Sequence, residues 1–140
     1  MPIKLLVVFL SVLNLLIACG PQALSIEEQR QGASCQPNQL CEYDNQVKIW
    51  LSEQQITPET PFEINLSLPS SLLVHSAKLE GITMYMGYIP VLFEPLDDIL
   101  VAQSMVGICS ERNMTWKLTL EVKNPQGQLK HVFYYFDATY

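Results

Sequence analysis

The chain is expected to fold as an antiparallel β-sandwich of immunoglobulin-like type with about seven short strands. Three features predict this. From Val47 onward apolar side chains recur at every second position in short runs, Gly, Pro and Asn separate those runs, and no long stretch keeps a 3.6-residue spacing. Short half-buried strands punctuated by turns pack as two facing sheets. A small barrel is the second architecture that the pattern allows.

Val47, Ile49 and Leu51 alternate with Lys48, Trp50 and Ser52, and Phe62, Ile64, Leu66 and Leu68 alternate with Glu63, Asn65 and Ser67. Successive side chains of a strand point to opposite faces, so each run offers one face to a core and one to water. Ala77 and Leu79 extend the pattern to Gly81. The stretch Ile82 to Phe93 is broken by Gly87 and Pro90, which predicts either two short strands or one bulged strand at an edge. Ile99 to Val106 makes a further strand. Trp116, Leu118, Leu120 and Val122 then alternate most cleanly, against Thr115, Lys117, Thr119 and Glu121. Asn124-Pro125-Gln126-Gly127 is a turn, since Pro presets φ at its second position and Gly accepts a positive φ. Leu129 to Asp137, apolar on both faces, pairs back as a hairpin. No internal repeat interrupts this order.

The first nineteen residues have a different character. Lys4 is the only charge ahead of an apolar run from Leu5 to Ile17, interrupted only by Ser11 and Asn14, which is the layout of a signal peptide. The run is shorter than the roughly 20 residues that a spanning helix needs, and Gly20-Pro21 follow it directly. It closes on Leu16-Ile17-Ala18-Cys19, which resembles the lipobox of bacterial lipoproteins. That resemblance implies removal of residues 1–18, a diacylglycerol on the Cys19 sulfur and acylation of its new amine. Two or more acyl chains give stable anchoring. With Gly20 rather than Asp next, it also implies the periplasmic face of the outer membrane. Residues 20–34 are polar without a period and read as a tether, with one helical turn near Ile26 to Gln31. The domain organisation expected is a leader over 1–18, a lipidated cysteine and tether with a small disulfide loop over 19–46, and a sandwich over 47–140.

The full chain carries 8 Lys and Arg against 14 Asp and Glu. Losing Lys4 with the leader leaves 7 against 14, a balance of −7 on 122 residues, which is enough for one domain. The cations are scattered and no basic patch interleaves with aromatics, so nucleic acid is not an expected partner. An acidic surface repels anionic lipid, so attachment is expected through the acyl chains. With Cys19 taken by lipid, Cys35, Cys41 and Cys109 remain in an oxidising compartment, which gives one disulfide and one thiol. Of the three pairings, Cys35 with Cys41 is favoured because only Gln-Pro-Asn-Gln-Leu, a turn-forming loop, has to close.

No catalytic machinery is expected. His75 and His131 are the only histidines, neither stands in a nucleophile motif, and Asp97-Asp98 read as a solvated turn. The residues that stand out are soft donors: Met84 and Met86, then Met105, Cys109 and Met114, with His75 upstream. Thioethers and a thiolate select Cu(I). In a strand Met84 and Met86 would share a face, and Met105 and Cys109 flank Val106-Gly107-Ile108. Core packing is the competing expectation for the methionines, most directly for Met114, which shares the parity of Trp116.

The segments Met84 to Phe93, Met105 to Ser110 and Met114 to Trp116 resemble a pattern in small uncharacterised lipoproteins of Gram-negative bacteria associated with copper delivery to respiratory oxidases. The resemblance implies Cu(I) as ligand and Met84, Met86, Met105 and Cys109 as donors. It lacks the His-and-Met spacing of periplasmic Cu(I) chaperones and the Cys-x-x-x-Cys of oxidase-assembly proteins. The second functional class is a non-catalytic interaction module for an envelope partner, using a sheet edge or the aromatic run Phe133 to Phe136.

Overall fold

The computed structural model describes residues 35–44 and 46–140. The leader, Cys19 and the tether with its expected turn near Ile26 to Gln31 lie outside the described residues. Among the described residues there are nine strands: β1 (Cys41–Glu42), β2 (Lys48–Leu51), β3 (Phe62–Ser67), β4 (Leu73–Gly81), β5 (Tyr88–Pro90), β6 (Glu94–Leu96), β7 (Ile99–Ser104), β8 (Asn113–Lys123) and β9 (Leu129–Thr139). They form two open antiparallel sheets, ordered β1-β2-β3-β7-β6 and β5-β4-β8-β9. With β1 set aside, this is the A-B-E-D over C′-C-F-G order of an immunoglobulin-like sandwich.

The core follows from the alternation. Along β8 every even residue from Met114 to Val122 is buried, and along β9 so are Val132, Tyr134, Phe136 and Ala138. The hairpin register sets Trp116 opposite Phe136 and Leu118 opposite Tyr134. From the facing sheet, Phe62 meets Phe136 edge-on, with ring centroids 5.5 Å apart; such a pair adds about 0.5–1.5 kcal/mol beyond its buried area. The predicted turn closes this hairpin: Gly127 has φ of 79°, its N–H donates to the Asn124 carbonyl at 2.9 Å, and Asn124 Oδ1 accepts from the Gln128 N–H at 2.9 Å.

Three expectations are corrected. The described residues form nine strands rather than about seven, because β1 and β6 span only two and three residues and are too short to show a period. Within Ile82 to Phe93 only Tyr88–Pro90 is a strand, at the sheet edge where proline costs no ladder bond; the irregularity lies instead in β4, where the register shifts between Val74 and Ser76. The folded unit also starts before Val47, since residues 35–44 are fastened into it.

That fastening depends on the Cys35–Cys41 disulfide, with Cα atoms 5.5 Å apart and Cys41 fully buried. Asn38, at φ 60°, donates to the carbonyls of Gln54 (2.8 Å) and Asp137 (2.9 Å), while its Oδ1 accepts from the Asp137 N–H at 2.6 Å. Tyr134 Oη donates to the Gln39 carbonyl at 2.9 Å, and Tyr43 Oη to that of Phe133 at 2.8 Å. Burial pushes both phenols well above the ordinary tyrosine range, aided at Tyr43 by Tyr134 and Tyr135, so both stay neutral donors. In the chain-entropy account, closing so short a loop contributes about 2 kcal/mol. The segment also engages outward backbone groups of β9, an edge strand, where an open edge invites pairing with other chains.

Candidate functional site: a thiol and thioethers at the loop tip

The β4–β5 loop (82–87) and the β7–β8 loop (105–112) leave the sandwich at the same end, because β4 finishes at Gly81 opposite Trp116, near the start of β8. The first loop folds back on its own sheet. Ile82 N–H donates to the Thr115 carbonyl at 2.8 Å, and Thr83 Oγ1 accepts from the Thr115 N–H at 2.9 Å. The Met84 carbonyl oxygen then lies against Gly81, where any Cβ would collide with it. Gly87, at φ 83°, redirects the chain into β5. The second loop is held by Val106, which is buried and accepts from the Glu59 N–H at 2.8 Å, and by Tyr140, whose hydroxyl donates to the Cys109 carbonyl at 2.6 Å.

These restraints bring two sulfurs together. Cys109 Sγ, a free and half-buried thiol, donates to Met84 Sδ at 3.2 Å and has Ser110 Oγ at 3.9 Å. Met86 approaches from the other side of the same loop, its Cε 3.7 Å from where a Cβ on Gly107 would sit. Met105 begins the second loop, half exposed, and makes no sulfur–sulfur hydrogen bond with Cys109 among the described residues. Of the four predicted donors, Met84 and Cys109 are therefore brought into contact, Met86 lies over Gly107 two residues before Cys109, and Met105 stands at the margin.

The route to this convergence differs from the expected one. Met84 and Met86 do not share a strand face, because residues 82–87 are a loop. Core packing does not account for them either: they are 40% and 45% exposed, whereas Met114 is buried, as its parity with Trp116 requires. His75 lies at the register shift of β4, six residues from Gly81, or about 20 Å along the strand, and does not join the cluster. Gly81, Thr83 and Tyr140 were not foreseen as parts of the site. Gly81 is visible in the sequence as an interruption, yet nothing local shows that its missing Cβ admits the Met84 carbonyl, and Tyr140 is 31 residues from the group that it holds.

Elsewhere, the expected docking face Phe133 to Phe136 is half internal. Tyr134 and Phe136 are core residues, and Phe133 stacks on His131 with Lys117 above its ring. Asp97 and Asp98 are exposed in the β6–β7 turn. On the outer face of the four-stranded sheet Ser76 Oγ donates to one Glu121 oxygen, and His131 Nε2 lies 2.8 Å from the other. The Ser76 hydrogen bond, then the His131 one, holds the Glu121 carboxyl below its usual range. The carboxylate thus separates the imidazole from the hydroxyl, whereas base activation of a nucleophile needs those two in contact. Among the described residues no three His, Cys, Asp or Glu side chains converge as a metal-holding group. Comparison with protein-family models, curated proteins and solved structures finds no match for this chain.

Proposed function

We propose that this chain is a lipid-anchored bacterial envelope protein, on the periplasmic face of the outer membrane, whose sandwich binds one soft monovalent metal ion, Cu(I), without catalysing a reaction. The supporting observation is the 3.2 Å approach of Cys109 Sγ to Met84 Sδ, from two loops whose backbones are each tied down. A thiolate and a thioether are donors that favour Cu(I) over harder ions, and Met86, over Gly107 in the loop that carries Cys109, is the candidate third. With metal–sulfur bonds of about 2.3 Å, two sulfurs on one ion sit roughly 3.8–4.0 Å apart. Binding would therefore replace the thiol proton and open the pair by somewhat more than half an ångström. Partly exposed side chains on loops can make that movement.

The test is a competition titration with Cu(I) against a chelator of known affinity, on chain that keeps the Cys35–Cys41 disulfide and has Cys109 as its free thiol. Cys109→Ser and the pair Met84→Leu/Met86→Leu should each weaken binding by at least about tenfold, with folding unchanged by circular dichroism. A native chain that binds no more tightly than Cys109→Ser rules the reading out. The anchor is tested separately by intact mass: the membrane-extracted chain should begin at Cys19 and carry the mass of two or three acyl chains. A chain that starts upstream, or starts there without added mass, removes the anchor and leaves the metal site to stand alone.

A further inference from the structure

We infer that the tip formed by the 82–87 and 105–112 loops is a lipid-docking surface that seats the domain on the bilayer. Eight of the thirteen exposed large apolar side chains among the described residues belong to this tip, counting Tyr88 just beyond the first loop and Tyr140 beside the second. Tyr85 and Tyr88 project furthest, at 70% and 64% exposure. A concentration of this kind marks an interaction surface rather than ordinary scatter.

Charge and chain path favour a membrane as the occupant. Residues 81–93 and 99–110 contain no Asp, Glu, Lys or Arg, in a chain whose net charge is −6. The two tip loops otherwise carry only Glu111 and Arg112, whose charges offset each other, so they present no net charge to repel anionic headgroups, and tyrosine is a side chain that settles at the boundary of headgroups and acyl chains. The segment that leads back to Cys19 also joins the domain near this end: Asn38 is bonded to Asp137, and Tyr140, three residues further along, holds the Cys109 carbonyl. The sixteen steps from Cys19 to Cys35 span at most roughly 55 Å, so an anchored chain holds the tip within reach of the surface. This path rests on the lipidation of Cys19, whereas the apolar and uncharged character of the tip does not. With the tip seated, an ion held by Cys109 and Met84 would be exchanged at the membrane surface.

The experiment uses the chain from residue 19 with Cys19→Ser, metal-free, with the Cys35–Cys41 disulfide kept and Cys109 as the free thiol. All the buried core residues of the described chain lie between Cys41 and Ala138, so this chain contains the folded unit and lacks only the lipid. Co-sedimentation is measured with phosphatidylcholine vesicles and with vesicles that include phosphatidylglycerol. Binding to both that persists at high salt supports the inference, provided that Tyr85→Ser/Ile108→Ser lowers the partition coefficient roughly tenfold or more. Both side chains are exposed and neither is a proposed ligand, so the double variant should keep its thermal midpoint and its Cu(I) affinity. The inference is overturned if the native chain sediments no better than the double variant, or if that variant instead loses a stoichiometric protein partner with no change in lipid binding. Because the assay uses unlipidated chain, its failure is separable from failure of the anchor, and the Cu(I) titration reports on the metal site alone.

Discussion

Trp116→Ala should lower the unfolding free energy by about 3–5 kcal/mol, seen in urea or guanidinium denaturation as an earlier midpoint with little change in slope. Trp116 is only 2% exposed and is among the largest fully buried side chains. It stands on a central strand, with Gly81 opposite it on β4 and Phe136 opposite it on β9. The phenyl ring of Phe136 is backed in turn by Phe62, so the aromatic neighbours on that side have little freedom to collapse into the space the truncation leaves. The companion variant Trp116→Phe should cost far less, because Trp116 Nε1 is buried without a hydrogen-bond partner among the described residues. Burying an unmade donor costs about 1–3 kcal/mol, and phenylalanine removes that donor along with part of the ring. If Phe proves as damaging as Ala, shape at this position outweighs the unmet N–H.

The physical division between what the sequence shows and what it conceals runs along the length scale of each feature. Alternation is a local signal, so Val47 to Leu51, Phe62 to Leu66 and Trp116 to Val122 could be assigned to strands, inner faces included. The Asn124–Gly127 turn was equally plain, because Pro and Gly act on their own φ. The Cys35–Cys41 pairing followed from loop length. By contrast, β1 and β6 exist only because β2 and β7 offer edges to pair with, and strands of two or three residues carry no period. At the site, residue type was legible and geometry was not. Soft donors could be picked out one by one, but strand logic placed Met84 and Met86 side by side on a sheet, whereas the 82–87 loop carries Met84 to Cys109 and Met86 to Gly107. That arrangement depends on Thr115 accepting one bond from Ile82 and donating another to Thr83, and on Tyr140 closing over Cys109, contacts between residues about thirty positions apart.

Gly81→Ala should damage the fold and the site together. The added methyl meets the Met84 carbonyl oxygen, a backbone atom, and stands 3.3 Å from Met114 Cε. A flexible side-chain end could swing away, but this backbone is restrained just ahead of Met84, by the Ile82 N–H on the Thr115 carbonyl and by Thr83 Oγ1 on the Thr115 N–H. Relief therefore requires the loop to lift, at a cost in the overpacking range of about 1–3 kcal/mol, and Met84 Sδ then withdraws from Cys109. Cu(I) affinity should fall at least about tenfold, as for loss of a ligand, although neither sulfur has been altered. Gly107→Ala is the control, since its Cβ would make only ordinary contact with Met86 Cε at 3.7 Å; its stability should change by less than about 1 kcal/mol, with affinity near that of the native chain. The comparison separates a preformed site from a chance meeting of sulfurs. If Gly81→Ala binds Cu(I) as the native chain does, the fold is not what holds Met84 beside Cys109, and a metal site built on that approach fails with it.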